Sequence, residues 1–238
     1  MKSKIGARII ADSISTEGYR LTTMVLKFPR YILAELNTHR AISKNSASSR
    51  AKPFKTMLRS VQDDPFIPVA WMKDHKGMQG NEYFTENDRT DYDTMGLLPG
   101  YPKDQLTSHL LEKRWLTARD KAVNAAILLS DIGLTKQIVN RVLEPFMWHE
   151  VLVTATEWEN FFGLRCPQYE VNHVPADGSI YSSCVTRSRK EAISIRPELK
   201  NLTDLEWRTR NKGMADIHIM DLAEAMWDAY YESKPKLL

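Results

Sequence analysis

Thr38-His39-Arg40-Ala41-Ile42-Ser43-Lys44-Asn45-Ser46-Ala47-Ser48-Ser49-Arg50 is the stretch on which the reading of this 238-residue chain turns. Hydroxyls, an amide and the guanidiniums of Arg40 and Arg50 crowd into a dozen positions. Serine hydroxyls and free backbone N–H groups can surround the oxygens of an anion, and arginine adds a bidentate charged fork. The same composition also suits a solvated serine-rich turn whose hydroxyls bond their own backbone. The residues alone leave both readings open.

Upstream, residues 7–14 and 19–28 are rich in β-branched side chains and read as strands. Pro29 then opens a helix over 30–40, with Ile32, Leu33 and Leu36 on one face. Residues 43–53 read as a loop of the kind that binds ligands. Residues 65–102 hold Trp71, Met72, Met78 and Tyr83 with little periodicity, and read as an irregular lid or interface arm. Leu110, Leu111, Trp115, Ala118, Ala122, Ala125, Ala126 and Leu129 recur at helical spacing, so a long helix is expected over 105–130. Asp131-Ile132-Gly133 stops it. Short and longer helices are expected over 135–143 and 146–164, an irregular basic segment over 166–212, and a last helix over 215–231. The expected fold class is α+β: one domain over 1–238, with a small antiparallel or mixed sheet and several long helices.

Bulk composition narrows the function classes. Hydrophobic residues make up 42% and charged residues 26%, the balance of a globular protein. A net charge of +3 gives no electrostatic case for nucleic-acid binding. No apolar run reaches the roughly 18 residues of a membrane span, and the first ten residues lack a signal-peptide core. Cys166 and Cys184 lack metal or disulfide-framework spacing, so a cytoplasmic location is the expectation. His149-Glu150 is followed by Val-Leu-Val, so no HExxH zinc pattern exists and no metal is expected.

The quoted stretch resembles the RHRxxSxNExSxR signature of the flavin-dependent thymidylate synthases. His39, Arg40, Ser43, Asn45, Ser48 and Arg50 fall in register, while Thr38 stands for the first Arg and Ser46 for the Glu. Arg141-Val142-Leu143-Glu144-Pro145 is similar to the family's R-[IV]-[VL]-x-P segment. Trp158 to Arg165 is similar to its LxNFLxLR helix, and Ala215-Asp216-Ile217-His218 to its A-D-x-H block. The resemblance covers most of the chain except about residues 60–105 and an insertion at about 166–213.

The resemblance implies a homotetramer, with no nucleic-acid or membrane partner, that methylates dUMP using FAD, with methylenetetrahydrofolate and NADPH as co-substrates. It places Arg165 at the uracil edge as the catalytic residue. The dUMP set is Glu35, Ser46, Ser48, Ser49, Arg50, Arg141 and Arg165. The FAD set is Thr38, His39, Arg40, Asn45, Ser46, Thr154, Thr156, Asn160 and His218, with Thr154 and Thr156 on the helix preceding Asn160. Arg210 is a second candidate for the role of Arg165. Three departures bear on function. Glu35 stands where the family has Gln, Thr154 and Thr156 replace an Asn and an Arg, and the insertion adjoins Arg165. They leave open a paralogue that hydroxymethylates dUMP or acts on dCMP, and a nucleotide-binding descendant without activity.

Overall fold

The computed structural model describes residues 4–76, 80, 82–85, 87–90, 105–173 and 182–238. Strand β1 (Gly6–Ile14) turns back at Gly18, whose φ of +88° suits a residue without Cβ, into β2 (Arg20–Pro29). β2 is central because its pattern is two-faced. Thr22, Met24, Leu26 and Phe28 are fully buried, while Leu21, Thr23, Val25 and Lys27 alternate with them. It pairs antiparallel with β1 and with β6 (Trp148–Ala155). Strand β3 (Ser43–Ser46) pairs antiparallel with β6, and β9 (Lys236–Leu237) pairs parallel with β1. The order is β3-β6-β2-β1-β9, a mixed five-stranded sheet.

One face of that sheet is covered by α8 (Ile217–Glu232), capped by the Asp216 carboxylate, which accepts from the backbone N–H groups of His218 and Ile219. Ile219, Leu222, Ala223 and Met226 are fully or almost fully buried with Met24, Leu26 and Phe28 beneath them. Removing each such side chain from water contributes on the order of 2 kcal/mol. The other face keeps Ile10, Leu21 and Leu152 exposed at 40–47%.

A second core joins α2 (Phe54–Asp63), α3 (Thr107–Asp131) and α4 (Lys136–Val142) through Met57, Val61, Ala126, Val139 and Leu143. Gly133, at φ +87°, ends α3 in a Schellman turn: Gly133 N–H donates to Ser130 O and Leu134 N–H to Leu129 O. The expected helix over 30–40 is shorter than its pattern suggests. A 3-10 turn at Arg30–Ile32 runs into α1 (Leu33–Asn37), and the chain leaves the helix before His39. Within the irregular arm, Met72 bridges Tyr83, and β4 (Arg89–Thr90) pairs with β5 (Gln105–Leu106). Residues 77–79 (with Met78), 81, 86 and 91–102 of that arm lie outside the described residues.

Two expectations are corrected. Residues 146–164 are not one helix. Residues 148–155 form β6, whose inward His149, Val151, Val153 and Ala155 are buried while Glu150 and Leu152 are exposed. That period of two, with β-branched residues, outweighs the helical propensity of the flanks. Only α5 (Glu159–Arg165) is helical, so Thr154 lies on a strand and Thr156 on the bend after it, neither on a helix before Asn160.

The described residues of 166–212 are not irregular. They form the hairpin β7 (Tyr169–His173) and β8 (Ser182–Thr186), then α6 (Arg189–Ile195), a 3-10 turn at Pro197–Asn201 and α7 (Asp204–Arg210). Tyr169, Val171, Ala192, Leu199 and Trp207 bury one another in a core of their own. Ser188 caps α6, and Thr203 with Glu206 makes a capping box on α7.

Candidate active site

Two clusters hold Glu35, His39, Arg165 and Ser49 among the residues singled out by sequence. The first gathers around Arg165 at the end of α5. Its Nε donates to His39 Nε2 at 2.9 Å, and its Nη1 makes an ion pair with Glu35 Oε1. Nη2 has no hydrogen-bond partner among the described residues. His39 is buried edge-on against Phe161, with ring centroids 4.8 Å apart, so Arg165 is fixed from two sides by groups on a packed core. Burial holds the His39 imidazole below its usual range, and Arg165 and Lys44 push the same way. His39 is therefore neutral and can accept the guanidinium proton. Burial pushes Glu35 up despite the opposing Arg165, and Asp216 adds to the rise.

Beside this cluster stands a residue the sequence reading did not single out. Tyr31, four residues before Glu35 on the same face, hydrogen-bonds through its hydroxyl to His218 Nδ1. His218 Nε2 accepts from Val69 N–H at 3.3 Å, so Nδ1 carries the proton and faces Asp216 Oδ1 at 3.1 Å. Burial keeps the Tyr31 hydroxyl far above the ordinary phenol range, hence neutral. The i, i+4 spacing of Tyr31 and Glu35 was the available signal.

The second cluster joins the hydroxyl-rich turn to α4. Asn140, fully buried, donates through Nδ2 to Ser49 O at 2.7 Å and to Lys52 O at 3.1 Å. Ser49 Oγ donates to Glu144 Oε1 at 3.0 Å, and Arg30 makes an ion pair with the same oxygen at 3.3 Å. Arg30 also contacts His149, whose imidazole is lowered to about 4 by burial first and then by Arg30 and Lys52. The turn is thereby pinned next to Arg141. Ser48, Arg50 and Arg141 are exposed, with no side-chain partner among the described residues. No hydrogen bond or ion pair among the described residues joins them to Arg165.

The residues expected at a flavin divide in the same way. Arg40, Asn45, Ser46 and Asn160 are exposed and have no side-chain partner among the described residues. Asn45 stands opposite Leu152 on the uncovered face of the sheet. Thr38 Oγ1 donates to Glu35 O at 2.7 Å, and Thr154 Oγ1 pairs with Thr23 Oγ1 at 3.0 Å. Thr156 is exposed beyond β6, and His218 is buried in its own network. Asn45 thus stands beside an apolar strip on the uncovered face, whereas Ser46, paired with the buried Val151, is registered on the other face and Asn160 lies on α5.

The insertion packs on α8. Arg189 donates from its backbone N–H to Glu224 Oε1 at 2.5 Å and makes ion pairs with Asp204, Asp221 and Glu224, while Arg208 grips Asp221 at 2.9 Å. Arg210 lies at the exposed end of α7, whereas Arg165 holds the site next to His39. The insertion and α8 line a cleft of about 740 Å³ with Lys4, Ile67, Val69 and Trp148. Cys166 is buried, and burial raises its thiol far above the range of a nucleophile. Among the described residues no group of His, Cys, Asp and Glu could hold a metal ion, and no helix is long and apolar enough to cross a membrane.

This α+β architecture is similar to solved folds. The solved structures it resembles include a UMP/dUMP methylase, PolB, from Streptomyces cacaoi, bound with 5-Br UMP (TM-score 0.55, 15% identity, 97% of this chain and 90% of that chain). The same methylase bound with 5-Br dUMP gives a TM-score of 0.54 and 16% identity, with 97% and 91% covered. At this identity the likeness is one of fold. No protein-family profile matches the sequence, and no curated protein matches it.

Proposed function

We propose that the chain is a C5-methylating enzyme of pyrimidine nucleoside monophosphates, acting in the cytoplasm with FAD, methylenetetrahydrofolate and NADPH. The observation that carries this reading is Arg165, immobilised by His39 and Glu35 with one guanidinium nitrogen left over, on a fold shared with a UMP/dUMP methylase. A preoriented cation in a partly dry site stabilises negative charge on a base carbonyl without reorganising. In this reading Nη2 donates to the pyrimidine carbonyl. Ser48, Arg50 and Arg141 hold the phosphate, with Ser49 shaping the turn from beneath.

Arg40, Asn45, Ser46 and Asn160 would hold FAD. When bound, reduced flavin supplies the hydride that converts a folate-derived methylene at C5 into a methyl group, and NADPH restores the reduced flavin. The uncovered sheet face, with Leu152, Leu21 and Ile10 beside Asn45, is the surface on which a second copy would complete the cofactor site, consistent with a homotetramer. Incubation of the purified protein with dUMP or dCMP, together with FAD, methylenetetrahydrofolate and NADPH, tests the proposal by product mass. A gain of one methyl group supports it, a hydroxymethyl product redirects it, and a protein that stays free of flavin absorbance near about 450 nm after FAD is added counts against it.

A further inference from the structure

Glu35 spends one carboxylate oxygen on Arg165; the other, Oε2, has no hydrogen-bond partner among the described residues. The side chains of the ion-paired residues are 26% and 22% exposed, so neither is sealed from a ligand. An ionised carboxylate only accepts, whereas the amide of a glutamine offers one donor and one acceptor. The site therefore presents, side by side, a lone acceptor at Glu35 Oε2 and a lone donor at Arg165 Nη2.

That order of groups discriminates between pyrimidines. Cytosine presents, along one edge, a 4-amino donor followed by the acceptors N3 and O2. Uracil presents the acceptor O4, the N3–H donor and the acceptor O2. A carboxylate is the group that accepts from the cytosine 4-amino nitrogen in base readout. Uracil placed the same way sets the O4 lone pairs against Oε2. A shift that brings N3–H to Oε2 leaves that proton flanked by two carbonyls, only one of which Arg165 can neutralise.

Resting on the reading of a pyrimidine monophosphate site, we propose that Glu35 is a specificity-determining residue that admits cytosine nucleotides, accepting from the 4-amino group while Arg165 donates to N3 or O2. A carboxylate that served only as a strut for Arg165 would affect all pyrimidine nucleotides alike.

Calorimetric titration of the assembled protein, with FAD supplied, separates these roles. The wild type binds dCMP at least about tenfold tighter than dUMP, the order of one matched base-edge contact. Glu35→Gln reverses the preference toward dUMP. Tighter binding of dUMP by the wild type, or an equal change for both nucleotides in Glu35→Gln, overturns the proposal. Should the variant not fold, the wild type alone decides. The 2-pyrimidinone deoxynucleotide, which lacks the 4-amino group, binds about tenfold more weakly than dCMP, and equal binding overturns the inference. Failure of the wild type to bind any of the three nucleotides overturns instead the pyrimidine-nucleotide reading on which the inference rests.

Discussion

Arg165 Nε lies 2.9 Å from His39 Nε2, with the imidazole as acceptor. This contact, one of the two that fix Arg165, lasts only while that nitrogen keeps its lone pair. Burial, Arg165 and Lys44 hold the His39 pKa below 6.5, so the contact survives at neutral pH and is lost on acidification through the depressed value. His39→Ala removes the acceptor and the packing against Phe161, and Arg165→Lys removes the fork. We expect kcat/KM to fall by about 10²–10³ in Arg165→Lys, the loss associated with one preorganised charge-stabilising donor. The acid limb of the wild-type pH profile of kcat/KM should disappear in His39→Ala. An unchanged acid limb in that variant would dissociate His39 from the activity.

Asn140 carries the geometry of the hydroxyl-rich turn. Its Nδ2 serves two carbonyls, Ser49 O and Lys52 O, in a fully buried position. Asn140→Asp keeps the shape and replaces both donors with an acceptor facing acceptors. Leaving those carbonyls unsatisfied costs roughly 1–3 kcal/mol. The turn should loosen, raising KM for the nucleotide more than it lowers kcat. Denaturant unfolding and steady-state kinetics measure the two effects, and a KM equal to that of wild type would separate the turn from the substrate.

Much of the candidate site was named before the structure because its polar residues sit in short contiguous runs. His39, Arg40, Asn45, Ser48 and Arg50 span one turn, and Glu35 lies one helical turn upstream. The contact between Glu35 and Arg165 bridges 130 positions, and no local pattern reveals which cation a lone carboxylate will meet. Strand β6 was hidden because its period-two core, His149 to Ala155, is flanked by the apolar Phe146, Met147, Trp158, Phe161 and Phe162, which blur the alternation. The insertion was illegible for another reason. Its core residues Tyr169, Val171, Ala192, Leu199 and Trp207 come from four short elements, none with enough residues to show a period.

The uncovered sheet face gives a test of assembly. Leu152 is 40% exposed on the strand that carries Thr154 and opposite Asn45. Leu152→Glu places a charge where a second copy would bury an apolar side chain, and costs a single chain little because the position faces water. Light scattering should show a smaller species with unchanged thermal stability of the chain and weakened flavin retention. An assembly of wild-type mass in Leu152→Glu would move the interface elsewhere.

The clasp between the insertion and α8 is pH-sensitive through Glu224. Burial pushes its carboxyl up from 4.5 to about 7 against the pull of Arg189. A carboxyl whose folded pKa is raised keeps its proton in the native state while the unfolded chain gives it up. Below about pH 4.5 both states are protonated and the group contributes no pH dependence. Between about 4.5 and 7 the native state binds more protons, so stability falls as pH rises, and above about 7 the slope ends. Each pKa unit corresponds to about 1.4 kcal/mol, which puts the full span at about 3 kcal/mol. Glu224→Gln keeps an oxygen that can accept from Arg189 N–H while removing the titration. The stability of Glu224→Gln relative to wild type should therefore climb from pH 4.5 to 7 and then level off, as read by urea midpoints across that range. Arg189→Met should act in the opposite sense near pH 8, since it leaves the ionised Glu224 buried beside Asp221, and breaking a buried pair by removing one partner costs about 3–5 kcal/mol. Parallel stability curves for wild type and Glu224→Gln would show that the clasp titrates elsewhere.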